Sequence, residues 1–112
     1  KLNREMLIAA VKRANIVARA ESSKVVARFN ADALMLRAES SEVGLASEEV
    51  PCNFDGVDGF EIAYNAAYLL NCLESFTSVD ICLGLTGQLN PTKVTTDSMP
   101  DYLHIVMPMQ VL

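Results

Sequence analysis

Leu7, Ala10, Val11, Ala14, Val17 and Ala18 recur at helical spacing between Asn3 and about Ala20, with no Gly or Pro to interrupt them. A helix with one apolar stripe has to bury that stripe against another element. The residues that follow supply a surface for it. Residues 24–29 and 33–38 are short runs rich in Val, Leu and Phe on either side of the turn-like Asn30-Ala31-Asp32, which predicts a hairpin, and a third strand is expected over 42–50. Residues 51–59 hold Pro, Asn, two Asp and two Gly and predict a loop. Residues 60–64 then alternate like a strand, Asn65 is placed to cap a helix over 66–76, and strands are expected at 79–83, 91–95 and 102–107. The order is helix, strand, strand, strand, followed by strand, helix, strand, strand, strand. This is one β-α-β-β-β unit used twice, with the opening strand of the first copy missing. The fold class is α+β. Because Lys1 is not an initiator Met, the chain is expected to be a fragment of a longer polypeptide.

At 112 residues and 51% hydrophobic content, residues 1–112 are expected to form a single globular domain. No apolar run approaches the roughly 20 residues needed to cross a bilayer, and the start does not resemble a secretory signal, so a cytoplasmic location is expected. Cys52, Cys72 and Cys82 are odd in number and irregularly spaced, against both a disulfide framework and a zinc site. They are expected to be reduced and mostly buried. No metal and no cofactor is expected.

The net charge of −5 argues at first against a nucleic-acid partner, but five of the nine basic residues (Lys1, Arg4, Lys12, Arg13, Arg19) fall in the first nineteen positions. On a helix, Arg4, Lys12, Asn15 and Arg19 share an arc under a quarter turn wide at about 100° per residue. Such a stripe is either an ordinary solvated face or a surface that meets phosphate without reading bases. Ile8 sits within it, unexplained by either reading. Ile16 lies well off the apolar arc and Val17 at its margin.

The chain closes on an apolar strand and a Met-Pro-Met tail. Val106, Met107, Met109 and Val111 put four large apolar groups on a terminus, where chains usually fray, so they either close the core or line a surface groove. Met, being unbranched and polarisable, suits a site that meets several partners.

Other features carry less chemistry. His104, the only histidine, falls in an expected strand, where a packed or partly exposed ring is the ordinary outcome. Asp55-Gly56-Val57-Asp58-Gly59 lacks the ligand series of a calcium loop and reads as a turn. A small cytosolic α+β enzyme or ligand-binding domain, using the 52–59 loop and His104, is the alternative to a binding module.

Four segments in order, LIAAVKRANIVA from Leu7, LMLRAESSE from Leu34, YNAAYLLNCL from Tyr64 and YLHIVMPM from Tyr102, resemble the bacterial sliding clamp, the beta subunit of DNA polymerase III, in its last (third) domain. The Asn-x-x-Tyr-Leu-Leu helix start and the terminal Val-Met-Pro-Met are the specific parts. The resemblance implies a DNA-clamp fold with two helices on one face of antiparallel sheets. It implies a homodimeric ring of three-domain subunits around duplex DNA, a processivity factor of chromosomal replication that is a non-catalytic accessory of the DNA polymerase III holoenzyme. It assigns Pro91, Ile105, Val106, Met107, Pro108, Met109, Gln110 and Val111 to half of a groove that takes short linear peptides from the polymerase III catalytic subunit, the clamp loader, other polymerases and repair proteins. The other half of that groove belongs to the preceding domain. Arg4, Lys12, Asn15 and Arg19 would face DNA without sequence preference, and Ile16, Val17 and Glu42 would meet the partner subunit. The chain departs from the family pattern at Asn71 and Glu74, where a base is common, and at Gln110 and the added Leu112.

Overall fold

The computed structural model describes residues 1–111; Leu112, at the expected rim of the groove, lies outside them. Its elements run β1 (Leu2–Asn3), α1 (Arg4–Ala18), β2 (Lys24–Phe29), β3 (Ala33–Ser40), β4 (Gly44–Pro51), β5 (Phe60–Asn65), α2 (Ala66–Glu74), β6 (Asp80–Gly84), β7 (Thr92–Thr95) and β8 (His104–Val106). Two four-stranded sheets have the orders β4-β3-β2-β5 and β1-β6-β7-β8, antiparallel throughout.

The repeat is present, with an exchange that sequence order alone does not display. Each sheet takes three strands from one unit and the opening strand of the other: β5 pairs with β2 along its whole length, and β1 pairs with β6 at Leu2↔Ile81 and Asn3↔Asp80. The opening strand expected to be missing from the first unit is therefore represented by two residues, too few to give an alternating pattern. Both helices start in the same way. Asn3 Oδ1 accepts from the Met6 N–H at 2.9 Å, and Asn65 Oδ1 accepts from the Ala67 and Tyr68 N–H groups at 2.9 and 3.2 Å. Each satisfies amides left unpaired in the first helical turn. Counting from each cap, Leu7, Ala10 and Val11 in α1 correspond to Leu69, Cys72 and Leu73 in α2, and all six are buried.

Both helices end short of the expected limits. At α1 the chain turns through Ser23, whose φ is +57° and whose N–H donates to the Ala18 carbonyl at 2.8 Å. At α2, Ser75 caps the end with its hydroxyl on the Cys72 carbonyl at 2.6 Å. The core lies between helices and sheets, with Leu7, Val11, Leu34, Leu36, Ile62, Leu73, Phe76 and Ile81 almost wholly buried. Tyr64 on β5 joins its hydroxyl to Thr92 Oγ1 on β7 at 2.5 Å, a buried tie between the two sheets. Burial raises the Tyr64 phenol from 10.0 to about 12.

Candidate functional site

The register of β7 and β8 organises the tail. Thr92 opposes Val106 and Lys93 opposes Ile105, so alternation sends Val106 inward and puts Pro91, Ile105 and Met107 together on the outer face. Exposure agrees. Val106 is 4% exposed and belongs to the core, whereas Ile105 is 49% and Met107 61% exposed, with Pro91 exposed beside them. Val106 thus belongs to the core beneath this face and does not line it. From Ile105 to Met107, exposed and core positions alternate residue by residue. Pro108, Met109 and Val111 are half-buried and Gln110 is exposed. The tail is held down: the Met109 N–H donates to the Ala63 carbonyl at 2.7 Å, and Lys24 Nζ donates to the carbonyls of Gln110 at 3.2 Å and Val111 at 3.1 Å. Lys24 went unrecognised in the sequence, since a lysine at a strand start carries no signal of an 86-residue separation from its partner.

The expected basic stripe of α1 turns out to be, in part, the seam with α2. The Arg4 side chain is only 13% exposed, with Nε on the Ser78 carbonyl at 2.7 Å and Nη1 on the Leu73 carbonyl at 3.2 Å. It closes the end of α2 and does not present a free charge. Ile8 is explained by the same geometry, lining with Phe76 the hollow between the helices. Lys12 remains on the surface, 3.9 Å from Glu74 Oε2 across the seam. Asn15 is half-buried, and its Oδ1 is enclosed without a hydrogen-bond partner among the described residues. Arg19 caps α1 and is exposed.

Of the apolar pair on α1, Ile16 is 58% exposed but Val17 only 8%, packed into the domain's own core. Val17 therefore offers almost no surface to a partner, because the end of α1 lies flat on the sheet. Arg13 Nε meets Glu48 Oε1 at 2.7 Å and sets α1 beside β4, the edge strand of its sheet. Glu42 is exposed in the turn before β4, next to Val43 and Leu45, which are 54% and 67% exposed and were passed over in the sequence.

The 52–59 loop borders a cleft of about 510 Å³ lined by Phe54, Val57, Phe60, Leu83 and Leu85 among others. His104 is not among its lining residues; it stands half-buried on β8, opposite Val94. Burial raises the Cys52 thiol, and raises Cys72 to about 11, the reverse of an activated nucleophile. Among the described residues no three His, Cys, Asp or Glu side chains come together as a metal site, and no helix is long and apolar enough to cross a membrane.

Fold and site together define a clamp-type domain: a duplicated β-α-β-β-β unit with paired helices and a tethered apolar tail. Residues 1–110 match the family described as DNA polymerase III beta subunit, C-terminal domain, and the chain belongs to it. The beta sliding clamp of Chlamydia muridarum is 30% identical over 98% of this chain and 29% of its own length. Among solved structures, the DNA polymerase III beta subunit of Thermotoga maritima superposes with a TM-score of 0.94 at 23% identity, over 99% of this chain and 30% of that one. The Caulobacter crescentus sliding clamp gives 0.87 at 29% identity, over 98% and 29%. The chain spans about 30% of the length of the relatives it matches.

Proposed function

We propose that this chain is the third domain of a sliding clamp, a single domain within a cytoplasmic homodimeric ring that encircles duplex DNA as a non-catalytic processivity factor of the DNA polymerase III holoenzyme. In this reading the tail forms half of a peptide groove through which the ring tethers the polymerase catalytic subunit, the clamp loader, other polymerases and repair proteins. The observation that carries it is the exposed apolar row of Pro91, Ile105 and Met107 on the outer face of β7 and β8, beside a tail whose Met109 is paired to β5. Aliphatic anchors of a linear peptide would bury against that row, with Pro108, Met109, Gln110 and Val111 continuing the wall.

Replacing Met107 and Met109 together by Ala in the full-length protein should weaken capture of a short peptide carrying Gln and apolar anchors by tenfold or more. Equal binding before and after the double change, measured by fluorescence anisotropy, would falsify the groove.

Ile16, Val43, Leu45 and Glu42 on and beside the β4 edge are the surface proposed for the partner subunit, with Val17 backing them from the core. An exposed ion pair at Glu42 contributes only about 0–1 kcal/mol, so the apolar groups dominate. The DNA-facing surface is reduced to Lys12, Asn15 and Arg19, since Arg4 is committed to α2.

A further inference from the structure

Lys24 stands at the start of β2, opposite Asn65, on the sheet face turned away from the helices. Val26 and Ala63 share that face, yet they are 6% and 0% exposed. The tail accounts for their burial. Met109 pairs at the free edge of β5, and Val111 lines the same hollow as Lys24, Val26 and Arg37 one strand further in. Between those points the tail crosses over β5. Among the described residues it makes three hydrogen bonds to the body beyond β8: one from its own Met109 N–H to Ala63, and two accepted from Lys24 Nζ. A segment held by one backbone bond opens readily, whereas an ammonium shared by two successive carbonyls fixes it from beyond the last pairing.

We propose that Lys24 is a positioning residue for the groove: it latches the tail across the outer face of β5 and holds Met107, Pro108 and Met109 as a preformed wall for a bound peptide's apolar anchors. The stretch is fixed on one side by the Thr92↔Val106 pairing and on the other by the latch, so its ordering is complete before a ligand arrives. The inference rests on the groove reading above. It adds a residue from the other end of the chain, on a different sheet from β8.

The test uses the full-length protein and two readouts. Hydrogen exchange at the Met109 N–H reports the latch without any ligand; titration with a short peptide carrying Gln and apolar anchors reports the groove. Lys24→Met should speed exchange at Met109 about tenfold, leave the Val11 and Ala14 amides of α1 unchanged, and weaken peptide binding about three- to tenfold. Lys24→Arg should restore both, because a guanidinium can still donate to two carbonyls. Unchanged exchange at Met109 in Lys24→Met overturns the latch. Faster exchange with unchanged peptide affinity overturns its role in the groove. Wild-type protein that binds no peptide at all overturns the groove reading itself, and with it any positioning role for Lys24 there.

Discussion

Arg4 illustrates how one side chain changes meaning once its neighbours are known. Helical geometry correctly places it on an arc with Lys12, Asn15 and Arg19, but the arc was fixed by angle alone, and what faces it depends on α2. With its guanidinium on the Ser78 and Leu73 carbonyls, Arg4→Gln should cost about 2 kcal/mol in urea unfolding of this chain, because two part-buried carbonyls lose a charged donor. Lys12→Gln with Arg19→Gln should leave that stability within about 0.5 kcal/mol and, if the proposed ring forms, weaken retention of the full-length protein on DNA at low salt. A double variant that loads and slides as wild type at low ionic strength would remove the phosphate-facing role. Tyr64 gives a pH signature. Its phenol is raised from 10.0 to about 12, so the unfolded chain ionises first, and the stability from this group is full below pH 10 and lost as pH rises towards 12. Tyr64→Phe removes the tie to Thr92 and should be less stable by about 1 kcal/mol at neutral pH. Unfolding curves of the two proteins should converge above pH 10; a gap that stays constant to pH 12 would contradict the buried, neutral phenol.

At the scale of elements, the two helices and seven of the eight strands were legible because each carries its own period or is bounded by turn residues. α1 and α2 show 3.6-residue spacing over several turns, and β2 and β3 are bounded by turn residues. Element ends were less legible. Helix α1 stops at Ala18 and not Ala20 because the Ser23 N–H reaches back to the Ala18 carbonyl, a turn that no single residue announces. β1 was invisible, since two residues cannot display alternation and its pairing partner lies almost eighty positions away at Ile81. The paired caps could have revealed it, because Leu2-Asn3 and Tyr64-Asn65 stand in the same relation to the buried triplets that follow. Asn65→Ala should cost about 1 kcal/mol and Asn3→Ala about the same, read as a shift in the urea midpoint with an unchanged slope. A change under about 0.3 kcal/mol at either position would mean that packing alone holds that helix start.

For the whole molecule, the exchange of opening strands matters most. Because β5 completes the sheet of the first unit and β1 that of the second, neither unit has a complete sheet alone, and the tail of the second unit returns to pair with β5. The β4 edge and Ile16 are left available for the proposed partner subunit. Ile16→Asp in the full-length protein should therefore shift sedimentation from dimer towards monomer at micromolar concentration, whereas Val17→Ala should act mainly through stability, by about 1 kcal/mol. A dimer unaffected by Ile16→Asp would place the interface elsewhere. The sequence by itself determined the α+β class, the duplicated order of elements, the capped helices and an apolar tail resembling that of a clamp, because periodicity, caps and turns act over a few residues. Only the tertiary structure decided that Arg4 faces α2, that Val17 and Val106 are core, that Ile8 lines the hollow at the helix seam and that Lys24 reaches the tail carbonyls. Those outcomes depend on contacts between elements far apart in the chain, whose pairing no local pattern encodes.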